Sequence, residues 1–175
     1  MKHLFGLSLL SLFFVACQPP AENAPEVDNS GQEAFERNSK TVMAFLEGYQ
    51  NENLDYNSIY SENVILRLTH FGSKDSLDLE GMMKNDAQGW ANHDFELLAD
   101  PVVLLPGVNT ETKMVDGSVR YYGDWMVTRS ATDSTEAKSG IVRLYESFDF
   151  DEEGKIIYQQ YYGDLTGLNM YLRSE

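Results

Sequence analysis

Two aspartates in this chain follow the same aromatic sequence and could carry acid–base chemistry. The tetrapeptide Tyr-Tyr-Gly-Asp ends once at Asp124 and once at Asp164. Alternate side chains of a strand point to the same face, so Asp124 shares a face with Tyr122, and Asp164 shares one with Tyr162. A carboxyl group among aromatic rings loses hydration, which raises its pKa and lets it act as an acid or base near neutral pH. The alternative is that both aspartates face water at strand ends.

Other catalytic groups are scarce. His70 and His93 stand far apart and form no zinc-binding motif, and the single cysteine, Cys17, excludes an intrachain disulfide. The sequence contains neither a glycine-rich nucleotide-binding loop nor a nucleophile elbow. We therefore expect no metal and no cofactor.

The net charge of the chain argues against one class of binding partner. The chain has 175 residues, with 13 Lys+Arg against 28 Asp+Glu, which gives a formal net charge of −15. Nucleic-acid binding requires a basic surface, so the sequence argues against it. Hydrophobic residues make up 42% and aromatic residues 12%, which is enough for one folded domain.

The N-terminus has the pattern of an export signal. Residues 4–15 form an apolar run that follows Lys2. The run is shorter than the ~20 residues needed to span a bilayer and has the length of a signal-peptide core. Ala16 and Cys17 follow it directly and resemble the lipobox of bacterial lipoproteins. That resemblance implies that residues 1–16 are a signal peptide and that Cys17 is lipidated. The protein would then lie in the cell envelope, anchored to a membrane outside the cytoplasm. The alternatives are an ordinary secretory signal with an incidental cysteine and a buried N-terminal helix.

A tether and one domain follow the signal. Residues 18–32 contain three prolines and a single valine, which favours a disordered tether. Together with the expected lipidated cysteine, this segment covers residues 17–32. Ser30 and Glu33 have the spacing of a capping box and predict the start of a helix. The folded domain is expected over residues 33–175.

The hydrophobic pattern of the domain predicts helices first and strands later. One apolar face at helical spacing predicts the first long helix, with Val42, Phe45, Leu46 and Tyr49. A second long helix is predicted over residues 80–92, with its apolar face at Met83, Ala87, Trp90 and Ala91. A short helix over 54–60 and a hairpin over 64–69 and 77–79 lie between them. Strands are predicted at 95–105, 118–130, 140–150 and 155–164, with a turn at 106–109 and a terminal helix at 165–172.

This order predicts an α+β fold, in which helices pack on a curved sheet and close a cone with an internal cavity. The element order, the pair Glu80-Gly81 opening the second long helix, and residues 150–157 followed by Asp164 resemble the nuclear transport factor 2-like (NTF2-like) superfamily. Within it, residues 33–174 resemble the SnoaL-like group. The resemblance implies a cone-shaped, curved antiparallel or mixed β-sheet with N-terminal helices packed on it.

The resemblance also implies site residues. In SnoaL-like cyclases an acid near the end of the last strand is the base, and Asp164 matches that position. In ketosteroid-isomerase-like members an acid on the penultimate strand helps form the oxyanion hole, and Glu146 falls there. Arg67 stands where those isomerases have their base, which argues against that reaction. We expect five aromatic residues to line the cone: Trp90, Tyr122, Trp125, Tyr145 and Tyr161.

Three functions remain open on sequence alone. The first is binding of a small apolar or aromatic ligand in a cavity of ~300–1,000 Å³. The second is a SnoaL-like lyase, isomerase or hydrolase with Asp164 as base and Tyr162 or Tyr122 as donor. The third is a structural role, in which the open sheet face forms a homodimer or docks an envelope partner.

The lipid anchor can be tested with one substitution. Each buried CH₂ of an acyl chain contributes ~0.8 kcal/mol to membrane affinity, and an acidic domain adds no attraction to anionic lipid. Cys17→Ala should therefore move the protein from the membrane fraction to the soluble fraction, as measured by immunoblotting of fractionated cells. Unchanged fractionation would contradict lipidation at Cys17.

Overall fold

One seven-stranded β-sheet organises the protein in the computed structural model, which describes residues 28–73 and 76–174. The helices and strands follow one another as α1 (Ser30–Gln50), α2 (Tyr56–Ile59), β1 (Tyr60–Arg67), β2 (Ser76–Leu77), α3 (Leu79–Trp90), β3 (His93–Leu97), β4 (Leu104–Val108), β5 (Val115–Arg129), β6 (Lys138–Phe150), β7 (Ile156–Tyr162) and α4 (Leu165–Arg173).

The sheet is mixed and strongly curved. Its strand order is β2-β1-β7-β6-β5-β3, and β4 also pairs with β5. The pair β1–β7 is parallel, whereas the other pairs are antiparallel. The long strand β5 pairs with β4 through its first half and with β3 through its second half, which bends the sheet around the helices. The predicted α+β fold is confirmed.

The main core lies between α1 and the concave face of the sheet. Val42 and Leu46 of α1 are fully buried, and the ring of Phe45 lies 5.6 Å from that of Phe148 on β6. Val119 of β5 completes this layer and is also fully buried. The apolar face predicted for the first helix is therefore confirmed.

The buried face of α3 differs from the prediction by one residue. Met83, predicted to face the core, is 46% exposed, and Ala87 is exposed as well. Met82 and Asp86 are buried instead. This shift of the buried face of α3 has a physical reason. Tyr56 Oη donates a hydrogen bond to Asp86 Oδ2 at 2.8 Å, so a polar side chain can be buried on the face where the pattern suggested apolar ones.

Element boundaries also shift. Helix α1 begins at Ser30, so residues 30–32 belong to its first turn and not to the tether. The capping box does not form, because the N-cap is Asn29 and its side chain makes no capping hydrogen bond. The predicted turn at 106–109 lies mostly within β4, and the chain turns after Asn109 instead.

The predicted signal peptide, Cys17 and most of the tether lie outside the described residues. Within residues 28–73 and 76–174, no helix is long and apolar enough to cross a membrane.

Two phenylalanines give a matched test of the core. Phe148 is fully buried, whereas Phe71 is 98% exposed. Phe148→Ala should lower the free energy of unfolding by about 3–5 kcal/mol, because it removes buried apolar surface and leaves a cavity. Phe71→Ala should change it by less than about 0.5 kcal/mol. Urea denaturation followed by circular dichroism measures both values, and similar losses in the two variants would contradict the placement of the core.

Candidate functional site

A cavity of about 780 Å³ lies between the concave face of the sheet and helices α1, α3 and α4. Six aromatic side chains line it: Phe45, Tyr49, Tyr60, Phe95, Trp125 and Tyr161. Aliphatic side chains such as Leu66, Val142 and Leu144 cover much of the remaining wall. Exposed lining residues lie at the end of α3, in the loop after β5 and on α4, so the cavity opens to solvent between these three segments.

Glu146 is a buried carboxyl group on the sheet side of the cavity. It lies on β6 and is 4% exposed. Gln159 Nε2 donates to Glu146 Oε2 at 3.0 Å, and Tyr60 Oη donates to Gln159 Oε1 at 2.8 Å. The tyrosine therefore fixes the side-chain amide with its NH₂ group towards the acid. Burial raises the pKa of Glu146 to about 7, against the lowering effect of the hydrogen bond from Gln159.

Asp86 is a second buried acid in the same cavity and comes from the helical side. Asp86 lies on α3, is 7% exposed and lines the cavity from there. It accepts the hydrogen bond from Tyr56 described above. Burial raises the pKa of Asp86 to about 6, while hydrogen bonds from Tyr56 and Asn85 oppose that rise. Both acids can therefore take up or release protons near neutral pH.

Sequence reasoning missed Asp86. The available signal was its spacing from Met82: the two residues are four apart and therefore share one face of the helix. The residues at helical spacing from Met83 are more apolar and therefore favoured the other face. The side chain that makes the burial of Asp86 possible, Tyr56, comes from a different helix.

Three of the predicted site residues do line the cavity. Glu146, Trp125 and Tyr161 all face it from the sheet. In the strand register Tyr121, Glu146 and Tyr161 stand side by side across β5, β6 and β7. The structure therefore places these three side chains together on the sheet side of the cavity.

The two aspartates of the repeated motif lie outside the cavity. Asp164 is exposed and caps α4, where its Oδ1 accepts a hydrogen bond from Gly167 N at 2.8 Å. Asp124 lies on the outer face of the sheet, 3.3 Å from the Nε of Arg143. This corrects the expectation that these acids are enclosed by aromatic rings. The physical reason is that strand alternation turns Asp124 outwards, whereas Asp164 lies beyond the end of β7.

The predicted tyrosines are also on the outer face. Tyr122, Tyr145 and Tyr162 form a row there, with ring centroids 4.8 Å and 6.2 Å apart. Tyr122 and Tyr162 are about half exposed. They therefore do not line the cavity, because the neighbouring residues Tyr121 and Tyr161 take the inward positions of their strands.

Trp90 supports the cavity wall from behind. Its ring packs 5.5 Å from that of Tyr49, and its Nε1 donates to the carbonyl oxygen of Tyr49 at 3.2 Å. It does not itself line the cavity. In the described part of the chain, no group of three or more His, Cys, Asp or Glu side chains is placed to hold a metal ion.

Comparison with solved structures identifies the fold. A candidate polyketide cyclase from Xanthomonas campestris pv. campestris aligns with a TM-score of 0.62 and 16% identity, covering 79% of this chain and 98% of the other. A second candidate polyketide cyclase, from Pseudomonas putida KT2440, aligns with a TM-score of 0.61 and 14% identity over 77% and 97% of the two chains.

A third similar structure belongs to a differently named enzyme. An epoxide hydrolase of M. tuberculosis aligns with a TM-score of 0.55 and 14% identity over 79% of this chain and 86% of the other. No protein-family model matches the chain, and no curated protein sequence does. At these identities the likeness shows the fold alone, which this chain shares with the two candidate cyclases and the hydrolase.

The buried acid makes a prediction about stability and pH. The pKa of Glu146 rises from 4.5 to about 7 on folding, so the folded protein holds this proton more tightly than the unfolded chain. The free energy of unfolding therefore falls as the pH rises from 4.5 to about 7. A pKa change of one unit corresponds to ~1.36 kcal/mol, so the loss is about 3 kcal/mol. Glu146→Gln should remove that loss, as measured by urea denaturation between pH 4.5 and 8.

The exposed residue Glu96 supplies the control. Glu96→Gln should keep the pH profile of the unmodified protein. Because Asp86 is present in all three proteins, its own contribution cancels when they are compared. Parallel profiles for Glu146→Gln and the unmodified protein would show that Glu146 does not titrate as described.

Proposed function

We propose that this chain binds a small, largely apolar or aromatic molecule in the cavity, with a polar group of that molecule against Glu146. The observation that carries the proposal is the cavity itself. Its volume of about 780 Å³ lies within the ~300–1,000 Å³ of small-molecule sites, and its walls combine many apolar groups with a few polar ones.

The packing of the aromatic residues supports this proposal. A cone filled by its own aromatic side chains would leave no room for a ligand. Here the rings lie along the walls. The ring centroid of Tyr49 lies 5.9 Å from that of Trp125 and 5.1 Å from that of Phe95, and the ring centroids of Phe45 and Tyr60 are 6.3 Å apart. These contacts hold the rings against one another and leave the space between the sheet and the helices open.

We further propose that the domain is held outside the cytoplasm by lipid on Cys17. The support is the apolar run over residues 4–15 followed directly by Ala16 and Cys17. The proline-rich segment after the cysteine would separate the ligand-binding domain from the membrane surface.

Acid–base catalysis is a second candidate function. The observation that favours it is the presence of two carboxyl groups, Glu146 and Asp86, with pKa values raised to about 7 and about 6 in one cavity. Perturbed acids of this kind can donate or remove protons in a lyase, isomerase or hydrolase reaction. Glu146 or Asp86 would take the role first expected for Asp164, which lies outside the cavity.

Ligand binding can be tested by filling the cavity. Leu144 lines it, whereas Ile141, on the same strand, is exposed on the outer face. Leu144→Trp should weaken binding of the uncharged fluorescent probe 1-aminoanthracene by roughly tenfold or more, because the indole occupies ligand space and tenfold corresponds to 1.4 kcal/mol. Probe fluorescence on titration with protein measures the Kd.

Ile141→Trp is the matched control, since it adds the same indole group outside the cavity. It should bind the probe as the unmodified protein does. Equal binding by both variants, or no binding by the unmodified protein, would contradict the proposed function.

A further inference from the structure

The two buried acids of the cavity have no basic partner in the described structure. Among residues 28–73 and 76–174, the ion pairs join Arg120 to Asp149 and Arg143 to Asp124, and neither pair involves Glu146 or Asp86. The hydrogen bonds that reach the two acids come from neutral side chains. An ionised carboxylate buried without a cation is costly, so this arrangement leaves a place for a positive charge from outside the chain.

Glu146 also has an oxygen available to a ligand. Gln159 Nε2 bonds to Oε2, and none of the described residues donates a hydrogen bond to Oε1. The carboxyl group is fixed in orientation by the chain of hydrogen bonds from Tyr60 through Gln159. It therefore presents a positioned acceptor and not a mobile one.

The two acids act on one region of the cavity. Burial is the largest cause of the raised pKa values of Tyr49, Tyr60 and Tyr161. The negative charges of Asp86 and Glu146 raise all three pKa values further. The geometry connects the two acids as well: Tyr60 donates to Gln159, the partner of Glu146, and its ring centroid lies 6.1 Å from that of Tyr56, the partner of Asp86.

Aromatic rings around carboxylates are a chemistry suited to organic cations. The faces of aromatic rings attract ammonium groups, and quaternary ammonium ligands are recognised in cages of such rings. Six aromatic side chains line this cavity. A cation with an apolar body would satisfy both the rings and the two acids, whereas an anion would be repelled by them.

Three basic side chains, His93, Arg129 and Arg173, also line the cavity. Arg129 donates to Thr135 Oγ1 at 3.3 Å and to the carbonyl oxygen of Glu136 at 2.7 Å. It lies eight residues along β5 from Tyr121, the register partner of Glu146, so its charge is at the other end of the strand from this acid. Arg173 is exposed at the end of α4. The chain as a whole carries a formal charge of −15, which attracts cations over a longer range.

We infer that the ligand of this cavity is an organic cation, a protonated or quaternary amine on an apolar or aromatic body, whose nitrogen lies in the region shared by Glu146 and Asp86. The inference rests on the proposed ligand-binding function and specifies its ligand class.

The test compares an isosteric pair of aromatic molecules that differ in charge, with an aromatic anion as the third competitor. Phenyltrimethylammonium, its neutral isostere tert-butylbenzene and the anion benzoate compete with 1-aminoanthracene for the purified protein at pH 8. Phenyltrimethylammonium should displace the probe at roughly tenfold lower concentration than tert-butylbenzene, since cation–π and carboxylate contacts together exceed about 1.4 kcal/mol. Benzoate should be the weakest competitor.

Variants assign the effect to the two acids. Glu146→Gln and Asp86→Asn should each reduce the preference for the cation, measured as the ratio of the two competitors' affinities, by roughly fivefold to tenfold. Glu96→Gln, on the exposed surface, should retain the full preference.

The outcomes separate this inference from the function on which it rests. If tert-butylbenzene competes as well as the ammonium ion, the cation assignment is overturned while ligand binding stands. If the probe does not bind at all, both are overturned. The isostere comparison uses the unmodified protein, so it decides the question even if one variant fails to fold.

Discussion

The structure depends on how Glu146 is buried. A carboxyl group at this position must keep a hydrogen bond, and it obtains one from Gln159, whose amide is held in turn by Tyr60. This chain of side chains joins three adjacent strands, β1, β7 and β6, on the concave side of the sheet. The same bonds that satisfy the buried groups fix the acid in the wall of the cavity.

Sequence patterns accounted for most of the fold. Period-2 and helical periodicities located the long helices and the antiparallel strands β5, β6 and β7, because these elements bury one face and expose the other. The buried face of α3 was misassigned by one residue, since Asp86 breaks the apolar pattern where the helix packs. The hydrogen bond that makes its burial tolerable comes from Tyr56, 30 residues away, and no local pattern contains that information.

The site was predictable in part. Trp125 and Tyr161 were among the five aromatic residues expected to line the cone, and Glu146 came from the family resemblance. Strand alternation places Trp125 and Tyr161 on the face opposite to Tyr122 and Tyr162, so the two sets of expectations could not both hold. The repeated motif misled because its two copies look alike in sequence but end differently. At Asp124 the strand continues, whereas Asp164 stands three residues before Gly167 and caps a helix. No helix cap was predicted at Asp164, and the hydrogen bond from Gly167 N holds it in that role outside the cavity.

The parallel pairing of β1 with β7 has a consequence for the order of folding. Tyr60 and Gln159, which meet in the cavity wall, are 99 residues apart in the chain. Contacts of such long sequence separation form late, because a large loop must close before they are made. During synthesis, Glu146 leaves the ribosome before the glutamine that stabilises it. A nascent chain that has not yet reached Gln159 therefore lacks the hydrogen bond that orients Glu146, and the wall of the cavity is completed only with the final strand.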